Sequence, residues 1–244
     1  MCRAEFAHGV TEMSFIAELL NSMPRSSAGS ADTAGQVLSR CGGIAPKEAL
    51  FVGDDLDTPA LIAEKFGCAL TAGFADTVRA RRAAALGMNA VVTQLFELPQ
   101  KTGGYDFVWY NGAVEFDGAA QRLSQVKSVV KGGGTAVFRA LCWLIDPSPD
   151  TRVYCGRRFG RIRQLDSNLI TLRECGFKIE DFYIAPRSDW TENFYKPLLK
   201  RAEELAGTSN DIGARNGLAE LRKEAEVFEL HCEEYSYVYY IMKG

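Results

Sequence analysis

Apolar runs of strand length alternate along this chain with stretches of helical period. "EALFVG" (48–53) is a nearly continuous apolar run and predicts a strand. "TPALIAEKFG" (58–67) predicts a helix, with Pro59 in its first turn and Gly67 at its end. Further strands are expected over 68–74, 89–94 and 105–112, the last rich in aromatic and β-branched residues. Between them "ADTVRARRAAALG" (75–87) reads as a helix with its arginines on the wet face. "DGAAQRLSQVKSVVKGGG" (117–134) predicts a helix stopped by glycines, and "TAVFRALCWLI" (135–145) a fifth strand. After an irregular stretch come a helix over 165–176, a strand over 177–186 and a helix over 190–207. A polar break, a helix to about Leu230 and a closing strand over 233–244 complete the pattern.

Strict strand–helix alternation argues for a parallel sheet covered by helices on both faces. The closing strand follows a helix and a strand, and its position suits an antiparallel insertion. In an open sheet of this kind, ligands sit beyond the carboxyl ends of the strands near the switch point. The turns to watch are therefore 53–58, 73–76, 110–117 and 141–164.

Composition changes this picture little. The 244 residues are 47% hydrophobic and 24% charged, enough for one substantial core. A net charge of −3 gives no global case for nucleic acid as a partner. No apolar run is long enough to span a membrane, and "MCRAEFAHGVTEMSFIAELL" has no signal-peptide core. The seven cysteines include no C-x-x-C pair and no metal-ligand spacing. Reduced, buried thiols of a cytoplasmic protein are the expectation, with no metal.

The stretch "ALFVGDDLDTPALIAEKFG" (49–67) holds the first candidate chemistry. A strand, an acidic turn and a helix fit a nucleotide-binding βα unit. Asp55-Leu56-Asp57-Thr58 also looks like the D-x-D-x-T of haloacid-dehalogenase-type phosphatases, whose first aspartate attacks phosphorus. That mechanism needs a second acidic motif downstream for magnesium, with a lysine between, and no second Gly-Asp strand end with a following acidic partner occurs beyond residue 58. A plainer reading makes Asp55 or Asp57 a helix cap and dipole partner.

Several segments, in order, resemble the class I S-adenosylmethionine-dependent methyltransferases, in particular small-molecule enzymes distantly related to the ubiquinone-biosynthesis type. They are "NSMPRSSAGSADTAGQVL" (21–38), "YDFVWYNGAVEFDG" (105–118), "VVKGGGTAVFRALCW" (129–143), "SDWTENFYKPLLKRAEEL" (188–205) and "YSYVYYIMKG" (235–244). The resemblance implies a Rossmann-like sheet of seven strands, the last antiparallel. It also implies an N-terminal helical cap (1–44), an α/β domain (45–244) and a lid around 143–164. The implied activity is methyl transfer from S-adenosylmethionine to a small, potentially anionic molecule. Such chemistry mainly aligns nucleophile, methyl carbon and leaving sulfur, and needs no fixed catalytic set.

The cofactor motifs depart from the family pattern. Where it has G-x-G-x-G, this chain has Gly53-Asp54-Asp55-Leu56-Asp57, and only the first glycine matches. The acidic residue expected at the end of strand 2 is replaced by Gly73, beside Phe74. Gln94 approximates the polar residue after strand 3. With Asn111 after strand 4 and Arg25 in an N-terminal lid, these residues form the implied cofactor set. The implied substrate side comprises Glu115, Trp143, Arg157, Arg158 and Trp190. Each has a plainer role: Glu115 solvated in a turn, the tryptophans in the core, Arg157 and Arg158 on a basic face or an oligomer contact with Arg152, Arg161 and Arg163. His8 and His231 are the only histidines and support no histidine-based mechanism. The second function class is a non-catalytic protein on this fold that binds another ligand or a protein partner. A homo-oligomer is compatible with either.

Overall fold

The computed structural model describes residues 15–93, 98–111, 119–207 and 212–244. Gln94, Glu115 and His8, all singled out above, lie outside them. The chain divides into two compact units, one of Ser30–Pro186 with Glu233–Gly244, the other of Met1–Gly29 with Arg187–Cys232. The 1–44 segment is split by this division between the two.

The larger unit is built on one sheet. Its helices and strands run α2 (Ala31–Arg40), β1 (Glu48–Gly53), α3 (Asp57–Phe66), β2 (Ala69–Phe74), α4 (Thr77–Ala85), β3 (Asn89–Val92) and β4 (Tyr105–Tyr110). They continue with α5 (Ala119–Val129), β5 (Val130–Trp143), α6 (Pro149–Phe159), β6 (Arg163–Gln164), α7 (Leu165–Glu174), β7 (Lys178–Ile184) and β8 (Tyr235–Lys243). Strand order is β3-β2-β1-β4-β5-β8-β7, with the two-residue β6 paired to β5. All pairings are parallel except those of β8, which runs antiparallel between β5 and β7. The expected parallel sheet with an inserted antiparallel last strand is therefore present.

Alternation decides the two faces. Leu50, Val52, Val108, Tyr110, Ala136, Phe138, Val238 and Tyr240 turn one way into a core with Leu123, Val126 and Leu172 from α5 and α7. Tyr110 and Phe138 stack there with ring centres 5.6 Å apart. The opposite face carries Phe51, Phe107, Trp109, Val137, Tyr237, Tyr239 and Ile241, all buried, and α2 and α3 pack on that side against β8 and β1.

Local signals place most boundaries. Ser30 accepts the N–H of Thr33 at 3.0 Å and caps α2, and Gly67 ends α3 in the left-handed region at φ 57°. The glycines of "VVKGGG" behave differently from expectation. The helix stops at Val129 and the same residues open β5, which begins at Val130, not at residue 135. Val130 pairs with Tyr105, the register then shifts, and Gly134 lies where a Cβ would come within 3.0 Å of the Asp106 carbonyl. Bare backbone there permits a bulged strand start, so the glycines serve the strand.

The smaller unit is helical: α1 (15–22), α8 (Arg187–Trp190), a π-helical turn (Thr191–Tyr195), α9 (Lys196–Gly207) and α10 (Ile212–His231). The π-turn sets Phe194 and Tyr195 inward, and the Tyr195 hydroxyl donates to the buried Glu224 carboxylate at 3.0 Å. Trp190 stacks on Phe228 with ring centres 4.6 Å apart. Among the described residues, no helix is long and apolar enough to cross a membrane and no disulfide forms. Burial pushes the Cys41 thiol up to about 12 and the Cys142 thiol up to about 11, so both stay protonated at neutral pH.

Candidate functional site

The carboxyl ends of β1 and β4, with the middle of β5 alongside, bring together four of the expected cofactor residues and one that was not expected. Gly53 ends β1, and Asp54 and Asp55 follow in the turn to α3. Asn111 follows β4 and donates its N–H to the Val52 carbonyl at 2.8 Å, extending the parallel pairing by one step. Arg139, near the middle of β5, completes the group.

Asp55 is buried, and both its oxygens accept hydrogen bonds. Oδ1 takes the Thr58 N–H at 2.7 Å, and Oδ2 takes the Asn111 side-chain amide at 3.2 Å. Asn111 Oδ1 in turn accepts the Trp109 indole N–H at 2.7 Å. Tryptophan can only donate and an ionised carboxylate can only accept, so the orientation of the Asn111 amide between them is fixed. The capping role read from the sequence therefore belongs to Asp55. A carboxylate held this way is a structural anchor and not an exposed nucleophile, which removes the basis for the phosphatase pattern.

Asp54 faces Arg139. The guanidinium donates to Asp54 Oδ1 at 3.3 Å and to the Asn111 carbonyl at 3.0 Å, and lies 4.4 Å from the centre of the Tyr237 ring. Burial alone pulls the Arg139 pKa down, but Asp54, Tyr239, Tyr237 and Asp55 outweigh it, and the group is raised above its ordinary value. Arg139 is thus a permanent buried cation tied to the turn.

The glycines have packing reasons. A Cβ on Gly53 would come within 2.5 Å of the Phe51 ring and 3.1 Å of Asn111 Cβ. One on Gly73 would come within 2.7 Å of a Thr93 methyl and 3.3 Å of a Val52 methyl. Gly73 and Phe74 pair with Val52 and Gly53, and the Phe74 ring is buried against Phe51 at 5.9 Å. The nearest carboxylate beyond β2, Asp76, caps α4 through the Arg79 N–H and bridges the Arg79 guanidinium, both at 2.6 Å.

The expected substrate residues do not converge in the same way. Trp143 is buried edge-on to Tyr235, 5.8 Å between ring centres. Arg157 and Arg158 are exposed on α6, the latter against Phe159. Arg152 pairs with Asp146, and Arg163 bonds Thr171 and the Ser167 carbonyl of α7. Arg25 and Trp190 belong to the smaller unit and are buried, Trp190 within its aromatic stack. Arg139, Trp109 and Tyr237 escaped sequence reasoning. A signal did exist for Arg139: a lone charge in the apolar run "TAVFRALCWLI" must find a buried partner. Among the described residues no group of three or more His, Cys, Asp or Glu is placed to hold a metal.

This fold superimposes nearly end to end on solved proteins. A methyltransferase from Geobacter sulfurreducens, solved with S-adenosylhomocysteine, superimposes at a TM-score of 0.76 over 93% of this chain and 96% of its own, at 13% identity. This chain has the class I methyltransferase fold. A second S-adenosylmethionine-dependent methyltransferase, from Thiobacillus denitrificans and also solved with S-adenosylhomocysteine, gives 0.75 over 93% and 97% at 15% identity. The [4+2]-cyclase SpnF gives 0.66 over 97% and 95% at 18% identity, so a methyltransferase-like sheet also underlies a protein named for cyclisation. No family model matches the chain, and no curated protein matches it in sequence.

Proposed function

We propose that this protein binds S-adenosylmethionine at the carboxyl ends of β1, β4 and β5 and transfers its methyl group to a small molecule. The observation that carries this reading is the near-complete superposition on methyltransferases solved with S-adenosylhomocysteine, at TM-scores of 0.76 and 0.75. The bound cofactor would supply an electrophilic methyl on a sulfonium. The chain's own part is to bind and orient. The β1 turn fits the amino-acid end of such a ligand: Gly53 leaves the backbone bare, and the Asp54 side chain, 23% exposed, offers a carboxylate to an ammonium. The β2 end fits less well, because Gly73 carries no side chain, Phe74 is buried and Asp76 already bonds the Arg79 N–H and guanidinium.

A second reading, a protein of this fold that performs no methyl transfer, is favoured by the internal use of Asp55 and Asn111. Their side chains bond Thr58, Trp109 and each other instead of facing a ligand. Calorimetric titration with S-adenosylmethionine and S-adenosylhomocysteine separates the two. Micromolar dissociation constants support the first reading. Absence of heat and of any thermal shift at millimolar ligand rejects it and leaves the second.

A further inference from the structure

Arg139 is a costly residue to place in the larger unit. Its guanidinium is 3% exposed and reaches from β5 past the end of β4 to the turn after β1. Burying a cation is unfavourable unless partners offset its lost hydration. Here the partners are Asp54, the Asn111 carbonyl and the Tyr237 ring face. The turn carries two adjacent carboxylates where a ligand's own carboxylate would approach. Asp55 is turned inward by its bonds to Thr58 and Asn111, whereas Asp54 stays partly in contact with solvent. Left unbalanced, the pair would repel an incoming anion at distances where Coulomb forces between partly buried charges are large.

We infer that Arg139 is a specificity-determining positioning residue: it balances one turn carboxylate and holds Asp54 in place, so that the turn accepts a zwitterionic α-amino-acid group with its ammonium on Asp54. Arg139 acts through Asp54 and the Asn111 backbone. The ligands selected are nucleosides that carry an α-amino acid, in preference to the same nucleoside without it. This assignment rests on the methyltransferase reading and adds to it the device by which an acidic turn tolerates a ligand carboxylate.

The test is calorimetry on the full chain with two probes, S-adenosylhomocysteine and 5′-methylthioadenosine, which share the thionucleoside but differ in the amino-acid group. In the native protein the first should bind more tightly. Arg139→Gln should weaken S-adenosylhomocysteine about tenfold or more, the scale of one charge-assisted hydrogen bond, while 5′-methylthioadenosine stays within about twofold. Asp54→Asn, on the partly exposed side of the turn, should show the same pattern, and it decides the matter should Arg139→Gln fail to fold. Arg139→Lys, which keeps the charge, should retain most of the preference. A purely structural role would weaken both probes in parallel, and that result, or no change in their ratio, overturns the inference. Equal binding of both probes by the native protein also overturns it while leaving the methyltransferase reading intact. Binding of neither rejects both.

Discussion

Replacing Asp55 by alanine removes two bonds from a chain that runs Trp109 to Asn111 to Asp55, with Thr58 closing it from the helix side. Loss of the helix cap costs about 1 kcal/mol. The Asn111 amide is then left buried without its acceptor, at a further ~1–3 kcal/mol. Relief of repulsion with Asp54 offsets little, because Arg139 already balances that charge. The total, about 2–4 kcal/mol, should lower the Tm by roughly 4–16 °C for a protein of this size. Asp55→Asn is the sharper comparison. Its oxygen can still cap Thr58, but its NH2 would confront the Asn111 NH2, and Asn111 cannot turn round without setting its own NH2 against the Trp109 N–H. It should therefore also destabilise, although it is nearly the same shape. Thermal and urea unfolding give the magnitude, and near-UV circular dichroism follows the packing of Trp109. A loss below about 0.5 kcal/mol for both variants, the range of neutral surface changes, would refute the reasoning.

Gly53→Ala should cost about 1–3 kcal/mol, measured by urea unfolding, because the new methyl meets a fully buried Phe51 ring. Asp106 accepts the backbone N–H groups of Lys47 and Glu48 at 3.0 and 3.1 Å and the Lys131 ammonium at 3.1 Å. The bond from Lys131, aided by those N–H groups, holds its carboxyl below the ordinary carboxylate range. Its contribution is therefore complete above the unfolded-state value near pH 4 and is lost as pH falls through the lower folded value. Asp106→Asn should lose about 0.5–1 kcal/mol at neutral pH, the pair with Lys131 being screened by solvent, and its deficit against the native protein should shrink below about pH 4 in a pH series of unfolding curves.

Much of the sheet was legible because its information is local. Apolar runs marked the long strands, Ser30 and Gly67 marked helix ends, and the position of the last strand implied its reversal. The start of β5 was not legible, because a triple glycine reads as a stop unless one knows that β4 lies alongside and that its Asp106 carbonyl leaves no room for a side chain at Gly134. The candidate site divides along the same line. Asp55 as a cap depends on a residue three positions away, and the sequence suggested it. The tie from Arg139 to Asp54 joins residues 85 apart, and no local pattern announces its partner. Asn111 was singled out as a ligand contact, yet its side chain is engaged by Trp109 and Asp55; only the fold brings the β1 turn beside the end of β4.

The place of β8 has a consequence for how this sheet is made. Thr135 pairs with Lys243, 108 residues further along, and the late strand separates β5 from β7. During synthesis both of those strands exist well before the one that joins them. Until residue 243 is available, each presents an unpaired edge, and the β5 edge is apolar from Ala136 to Trp143 apart from Arg139. Pairing at such separations is slow, and exposed edges of this kind invite pairing with other chains. A chain stopped before Tyr235 would lack the strand that joins β7 to the rest of its sheet and should be recovered in aggregates, however complete its candidate site is in sequence.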